Sequence, residues 1–164
     1  MNHHYFMEKT LNEAQKALDE NEFPVGCALV YDNQIIATGK RTGTNGINNE
    51  IDHAEIIALR KLSLLFPYNR SKITLYTTLE PCLMCYGAII ISGIKNIVYA
   101  YEDIMGGGTD CDLSVLKELY QKSRINIISG IHRDKSKKLF QDFFLKHKNG
   151  YLQNTLLASY TLKD

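Results

Sequence analysis

Two short stretches far apart in the chain, Asp52-His53-Ala54-Glu55 and Glu80-Pro81-Cys82-Leu83-Met84-Cys85, constrain the fold more than any other feature. One imidazole and two thiols make three protein ligands for zinc, and a catalytic zinc keeps its fourth position open for water. Glu55 would stand beside that position. Each stretch opens an apolar segment of helical period: Ile56, Ile57, Leu59 and Leu62 follow the first, and Leu83, Ala88, Ile89 and Ser92 the second. Both ligand sets are therefore expected on the first turns of helices. Unpaired N–H groups and the positive end of the helix dipole collect there, and they favour thiolate over thiol.

Blander readings exist for each piece. Asp52-x-x-Glu55 has the form of a helix-capping pair. A lone Cys-x-x-Cys serves either as a redox pair or as half of a closed four-ligand zinc site. The other half is missing, since Cys27 and Cys111 are single and widely separated; Cys27 lies in an apolar β-prone run and reads as a small buried hydrophobe. Taken jointly, His53, Glu55, Pro81, Cys82 and Cys85 match the signature H-x-E followed by P-C-x-x-C, in which His and two Cys bind zinc and the Glu, not a ligand, moves protons.

On these residues the chain resembles the cytidine deaminase superfamily, most closely its branch of bacterial tRNA adenosine deaminases and guanine and cytosine base deaminases. The likeness begins at Phe23-Pro24-Val25-Gly26 and continues through the segments His53 to Arg60 and Thr74 to Ile89, ending near Phe143-Phe144. It implies a three-layer α/β/α fold, a mixed five-stranded sheet with helices on both faces. It further implies one zinc ion per chain on His53, Cys82 and Cys85, with Glu55 as catalytic acid and base. Ala54 and Pro81 would line the substrate site, with Asp103 close to a bound nucleotide; the alternative for Asp103 is a turn-forming residue. A homodimer is implied in the same way. In the relatives an Asn soon after the second strand reads the base; here Arg41 stands at that position, or Thr42 if the gap is placed differently, with Asn45, Asn48 and Asn49 further along.

The remaining chain fits one domain of 164 residues, long enough to bury about two thirds of its unfolded surface. With a formal net charge of +1 there is no global electrostatic case for nucleic-acid binding. The start Met1-Asn2-His3-His4-Tyr5 lacks the basic and apolar segments of a signal peptide, and His3 and His4 are expected to face solvent. No apolar stretch approaches the ~20 residues of a membrane helix. A cytoplasmic address without membrane contact is the expectation, in keeping with reduced cysteines.

Periodicity predicts a helix over Tyr5 to Asn21, a hairpin over Val25–Tyr31 and Gln34–Thr38, and the first ligand helix over His53–Phe66, stopped by Pro67. A strand over Ile73–Thr77, the second ligand helix over Cys82–Ser92 capped by Gly93, and a strand over Asn96–Tyr101 should make a right-handed parallel βαβ unit. Glu102–Thr109, with Gly106-Gly107-Gly108, is expected to be a mobile loop at the mouth of the site. A helix over Asp112–Lys122, a strand over Ile125–Ser129 and a helix over Lys135–His147 complete the deaminase domain, residues 1–150. Residues 151–164 form an extension expected to pack on a partner subunit or to cover the site.

Three functional readings follow. The first is a small-molecule deaminase releasing ammonia from a free base, nucleoside or nucleotide; Arg41 would suit an anionic or carbonyl-rich ligand, because a guanidinium offers paired donors. The alternative is deamination of adenosine at the wobble position of a tRNA, for which Lys146, His147 and Lys148 would meet phosphates. The third is a zinc-stabilised binding domain without catalysis, against which the intact Glu55 stands. The replacement of the base-reading Asn tips the choice towards the small molecule.

Overall fold

The computed structural model describes residues 2–46, 49–65, 68–146 and 150–163. Its middle layer is a five-stranded sheet in the order β2-β1-β3-β4-β5. The strands are β1 (Gly26–Tyr31), β2 (Gln34–Lys40), β3 (Thr74–Leu79), β4 (Asn96–Tyr101) and β5 (Asn126–Ile128). β1 pairs antiparallel with both β2 and β3, whereas β3, β4 and β5 run parallel. The hairpin turn at Asp32 and Asn33 takes positive φ at both residues, 49° and 57°, the backbone that a two-residue turn between twisted strands requires.

Strand alternation sorts the core into two faces. Cys27, Leu29, Leu75, Leu79 and Ile97 pack with Ala54, Ala58 and Leu62 of α2 (Ala54–Ser63) and with Ile89 and Ile90 of α3 (Leu83–Ile91). Their neighbours Ala28, Val30, Tyr76, Val98 and Ala100 pack under Phe6, Met7 and Leu11 of α1 (His3–Asp19). The three layers and the mixed sheet are those the sequence implies. Between β3 and β4, α3 makes the parallel crossover and ends at Gly93 with φ 83°, the left-handed C′ residue expected there. At one end of the sheet, α5 (Arg133–Lys146) brings Phe140, Phe143 and Phe144 round Phe23, ring centroids 5.1, 5.3 and 6.1 Å away.

Some elements depart from expectation. α1 starts earlier because the Asn2 side chain accepts from the Tyr5 N–H and caps the helix. His3 is therefore not free in solvent: its Nδ1 lies 2.8 Å from the Tyr76 hydroxyl. The stretch 112–122 is not one helix but a 3₁₀ turn, Leu113–Val115, and the short α4, Glu118–Gln121. The Asp112 carboxylate takes the Ser114 N–H and hydroxyl, closing a local turn that competes with a longer helix. The Gly-rich loop is held down, because the Glu80 carboxylate accepts from the backbone of Asp103 and Thr109 and from the Thr109 hydroxyl. Phe66 and Pro67, the expected end of the first ligand helix, lie outside the described residues, as do Asn48, His147 and Lys148. Beyond Gly150 the chain folds back as α6 (Leu156–Thr161), capped by Thr155 and burying Leu157 and Ala158 against its own domain. Among the described residues no helix is long and apolar enough to cross a membrane.

Candidate active site

Both ligand stretches place their first ligand at the N-cap of a helix, His53 before α2 and Cys82 before α3, in extended backbone. An N-cap side chain ordinarily turns back onto its own helix. Neither does so here. The imidazole and thiols turn towards one another instead: His53 Nδ1 lies 3.6 Å from Cys82 Sγ and 3.5 Å from Cys85 Sγ. Zinc bonds of 2.0–2.1 Å to nitrogen and 2.3 Å to sulfur at tetrahedral angles put the donor atoms about 3.6 Å apart. The observed spacing is that of a three-ligand zinc corner, and all three donor atoms lie within 4.8 Å of one another.

The metal-free electrostatics already lean towards binding. The hydrogen bond from Cys85, opposed by burial and helped by His53, draws the Cys82 thiol down to about 4, so that one sulfur is a thiolate. The same bond to Cys82, with burial, pushes Cys85 far up. Burial lowers the His53 imidazole, yet its contact with the Cys82 sulfur outweighs this and leaves it raised. Metal binding must therefore release the remaining protons.

Glu55 is the second residue of α2 and is only 3% exposed. Its Oε1 accepts from the Thr77 hydroxyl at 3.0 Å, and its Oε2 lies 3.6 Å from the Cys85 sulfur. Burial pushes the Glu55 carboxyl above the usual range, which suits a group that must hold and return a proton. The capping-pair reading fails on geometry, because Asp52 is bound to Arg60 and Asn49 rather than to the helix start. Thr77 was not singled out by sequence reasoning; its place on β3, two residues from both Leu75 and Leu79 and so on their face towards α2, was the available signal.

A cavity of about 240 Å³ opens on His53, Glu55 and Cys82. Ala54, Arg41 and Asp103 also line it, whereas Pro81 does not; the Pro81 carbonyl accepts from the Gly108 N–H and helps hold the loop. Asp103 Oδ1 accepts from the N–H groups of Met105 and Gly106, the turn-forming role, on the wall of the same cavity. Arg41 is 2% exposed and is engaged within the protein. Its Nη1 donates to the carbonyls of Thr42 and Asn49, and its Nη2 to Glu50 and the Tyr151 hydroxyl. Sequence reasoning also missed Phe23, Val25, Leu79 and, from the C-terminal segment, Tyr151, Leu152 and Leu157, all on the lining.

Comparison with known proteins agrees with this geometry. Residues 1–101 match the cytidine and deoxycytidylate deaminase zinc-binding region. A tRNA-specific adenosine deaminase of Rickettsia typhi is 36% identical, over 87% of this chain and 98% of its own length. Among solved structures, one from a study of A-to-I editing by tRNA:A34 deaminases at the wobble position has a TM-score of 0.68 at 31% identity, covering 82% of this chain and 98% of its own. A guanine deaminase from Nitrosomonas europaea shares the fold, with a TM-score of 0.64 at 22% identity over 84% of this chain and 81% of its own.

Proposed function

Since the chain belongs to the cytidine and deoxycytidylate deaminase zinc-binding family and is a hydrolytic deaminase of nucleobase C–N bonds, we propose that its substrate is adenosine at the wobble position of a tRNA, converted to inosine. The observation that carries this reading is the 36% identity to a tRNA-specific adenosine deaminase along nearly all of that protein. Two structural features bear on it. The cavity, about 240 Å³, has room for a single base, as one extruded from a single strand would need. Arg41, which suggested an anionic small molecule, has both terminal nitrogens committed to protein acceptors.

His53, Cys82 and Cys85 are placed to hold one zinc ion, which supplies a Lewis acid that brings the pKa of water from about 15.7 towards neutrality. The protein's own groups do the rest. Glu55 takes a proton from the attacking water and passes it to the adenine ring nitrogen. A second proton, held again on Glu55, goes to the amine, which leaves as ammonia while oxygen remains on the ring carbon. Thr77 fixes one carboxylate oxygen, so the other moves the proton over a short path. The Ala54 N–H, in the first turn of α2 and without an intrahelical acceptor, offers a donor to the base. Asp103 borders the nucleotide beyond it. A homodimer and a cytoplasmic location belong to the same reading; sedimentation at micromolar concentration tests the former.

Zinc-loaded protein incubated with total tRNA should convert the wobble adenosine to inosine, read as A-to-G by sequencing, and release no ammonia from free bases, nucleosides or nucleotides. Ammonia from a free purine without tRNA conversion would overturn the proposal and restore the small-molecule reading.

A further inference from the structure

The C-terminal segment 150–161 does more than cover the domain. Tyr151, Leu152 and Leu157 line the same cavity as His53, Glu55 and Cys82. Polar bonds fasten both ends of the segment to the loops that frame that cavity. At its start, the Tyr151 hydroxyl donates to Glu50 at 2.8 Å and accepts from Arg41 at 3.3 Å, on the loop leading into His53. At its end, the Tyr160 hydroxyl donates to Glu102 at 2.7 Å, next to Asp103, and Arg133 Nε holds the same carboxylate at 2.8 Å. The Tyr101 hydroxyl meets Thr161 Oγ1 at 3.1 Å.

Between these fastenings the backbone is strained where it faces the cavity. Leu152 takes φ 54°, a left-handed conformation that a branched side chain adopts only when its surroundings impose it. The Tyr151 ring is fixed in orientation as well, with Phe23 edge-on at 5.4 Å and the Arg41 guanidinium 5.9 Å from its centroid. A base removed from a nucleic-acid stack seeks an aromatic face to replace its neighbours. Apart from the metal-binding imidazole, the rings on the cavity lining among the described residues are Phe23 and Tyr151. Phe23 is 4% exposed, with its ring 5.4 Å from that of Tyr151, whereas Tyr151 is only partly buried.

We propose that residues 150–161 are part of the substrate site, with the Tyr151 ring as the specificity-determining surface on which the target base stacks. The base then meets a pre-oriented ring, and little side-chain freedom is lost on binding. This rests on the wobble-adenosine reading above.

The test compares two anticodon stem-loop RNAs, one with adenosine at the wobble position and one abasic there, binding to the zinc-loaded 164-residue chain. Tyr151→Ala should weaken binding of the adenosine RNA by about tenfold, the scale of one lost base–aromatic stack, and leave the abasic RNA unchanged. Tyr151→Phe, which keeps the ring and loses the hydroxyl, should retain most of the affinity and controls for folding, together with zinc content and melting temperature. Equal weakening of both RNAs by Tyr151→Ala would reduce the residue to a structural role and overturn the proposal, as would no change in either. Deamination by the unaltered chain is scored in parallel. An active chain indifferent to Tyr151 refutes the stacking role alone, while an unaltered chain that leaves the adenosine intact refutes the substrate reading and this proposal with it.

Discussion

Gly39 on β2 lies so close to the start of α2 that a single methyl group there would disturb the metal corner. A Cβ at this position would sit 2.0 Å from the Ala54 carbonyl oxygen and 2.9 Å from the Ala58 nitrogen, where ordinary contact begins at 3.4 Å. Both neighbours are helix backbone, so no side chain can swing aside. Ala54 would have to retreat by about 1.4 Å, carrying His53 and Glu55 on either side of it. Metal–ligand distances tolerate about 0.2 Å, and a misplacement of about 1 Å can cost roughly 10²-fold in rate. Overpacking itself costs about 1–3 kcal/mol. Gly39→Ala is thus expected to fold with a lower melting temperature, bind zinc below one equivalent and deaminate at least ~10²-fold more slowly. Gly87 in α3 is the control, because nothing lies within 4 Å of a Cβ there; Gly87→Ala should stabilise by about 0.5–1 kcal/mol, the helical advantage of alanine. Melting curves, elemental zinc analysis and initial rates on the same preparations decide the matter. Full zinc content and near-normal turnover in Gly39→Ala would refute the claim that this close approach sets the site.

Three further outcomes are expected. Glu55→Gln should keep its zinc and lose at least ~10²-fold in turnover, the scale of a general acid/base; an unchanged rate would remove Glu55 from the chemistry. Thr77→Val deletes the hydroxyl that holds Glu55 Oε1 with little change of shape, so kcat should fall about tenfold with KM unchanged, and Thr77→Ser should restore it. A KM effect, or no rescue by Ser, would argue for packing alone. Burial raises the Glu102 carboxyl, but Arg133 and Tyr160 outweigh this and bring it from 4.5 to about 2. Because the folded-state value is depressed, the stabilisation is complete above 4.5 and is lost as pH falls towards 2. The melting-temperature gap between the unaltered chain and Glu102→Gln should therefore be open at pH 6 and closed near pH 2; a gap independent of pH would deny the ion pair its role.

The hairpin, the parallel crossover and the ligand motifs were legible in the sequence through local pattern and spacing, and the three layers through the family resemblance those motifs carry. Asp32-Asn33, Gly93 and the two helix starts declare themselves through backbone preference and spacing. The rest depends on contacts between distant segments. Nothing in Thr77 announces that it meets Glu55; only the register of β3 under α2 brings them together. Arg41 read naturally as a ligand for substrate anions until the fold supplied acceptors from Thr42, Asn49, Glu50 and Tyr151. The helix expected over 112–122 failed because it buries no side chain in either of its pieces, so a local Asp112 turn prevails. The tail was expected to pack on a partner subunit or cover the site, but its place on the cavity wall depends on fastenings far away in sequence.

X-ray absorption at the zinc edge of the purified, zinc-loaded chain tests the metal corner most directly. Two sulfurs near 2.3 Å, one nitrogen near 2.0–2.1 Å and one further light atom are expected, with the sulfur count falling or the zinc lost in Cys85→Ser. Four sulfurs round the ion, or an unchanged spectrum at full occupancy in Cys85→Ser, would contradict the assignment of His53, Cys82 and Cys85 as an open, catalytic zinc site.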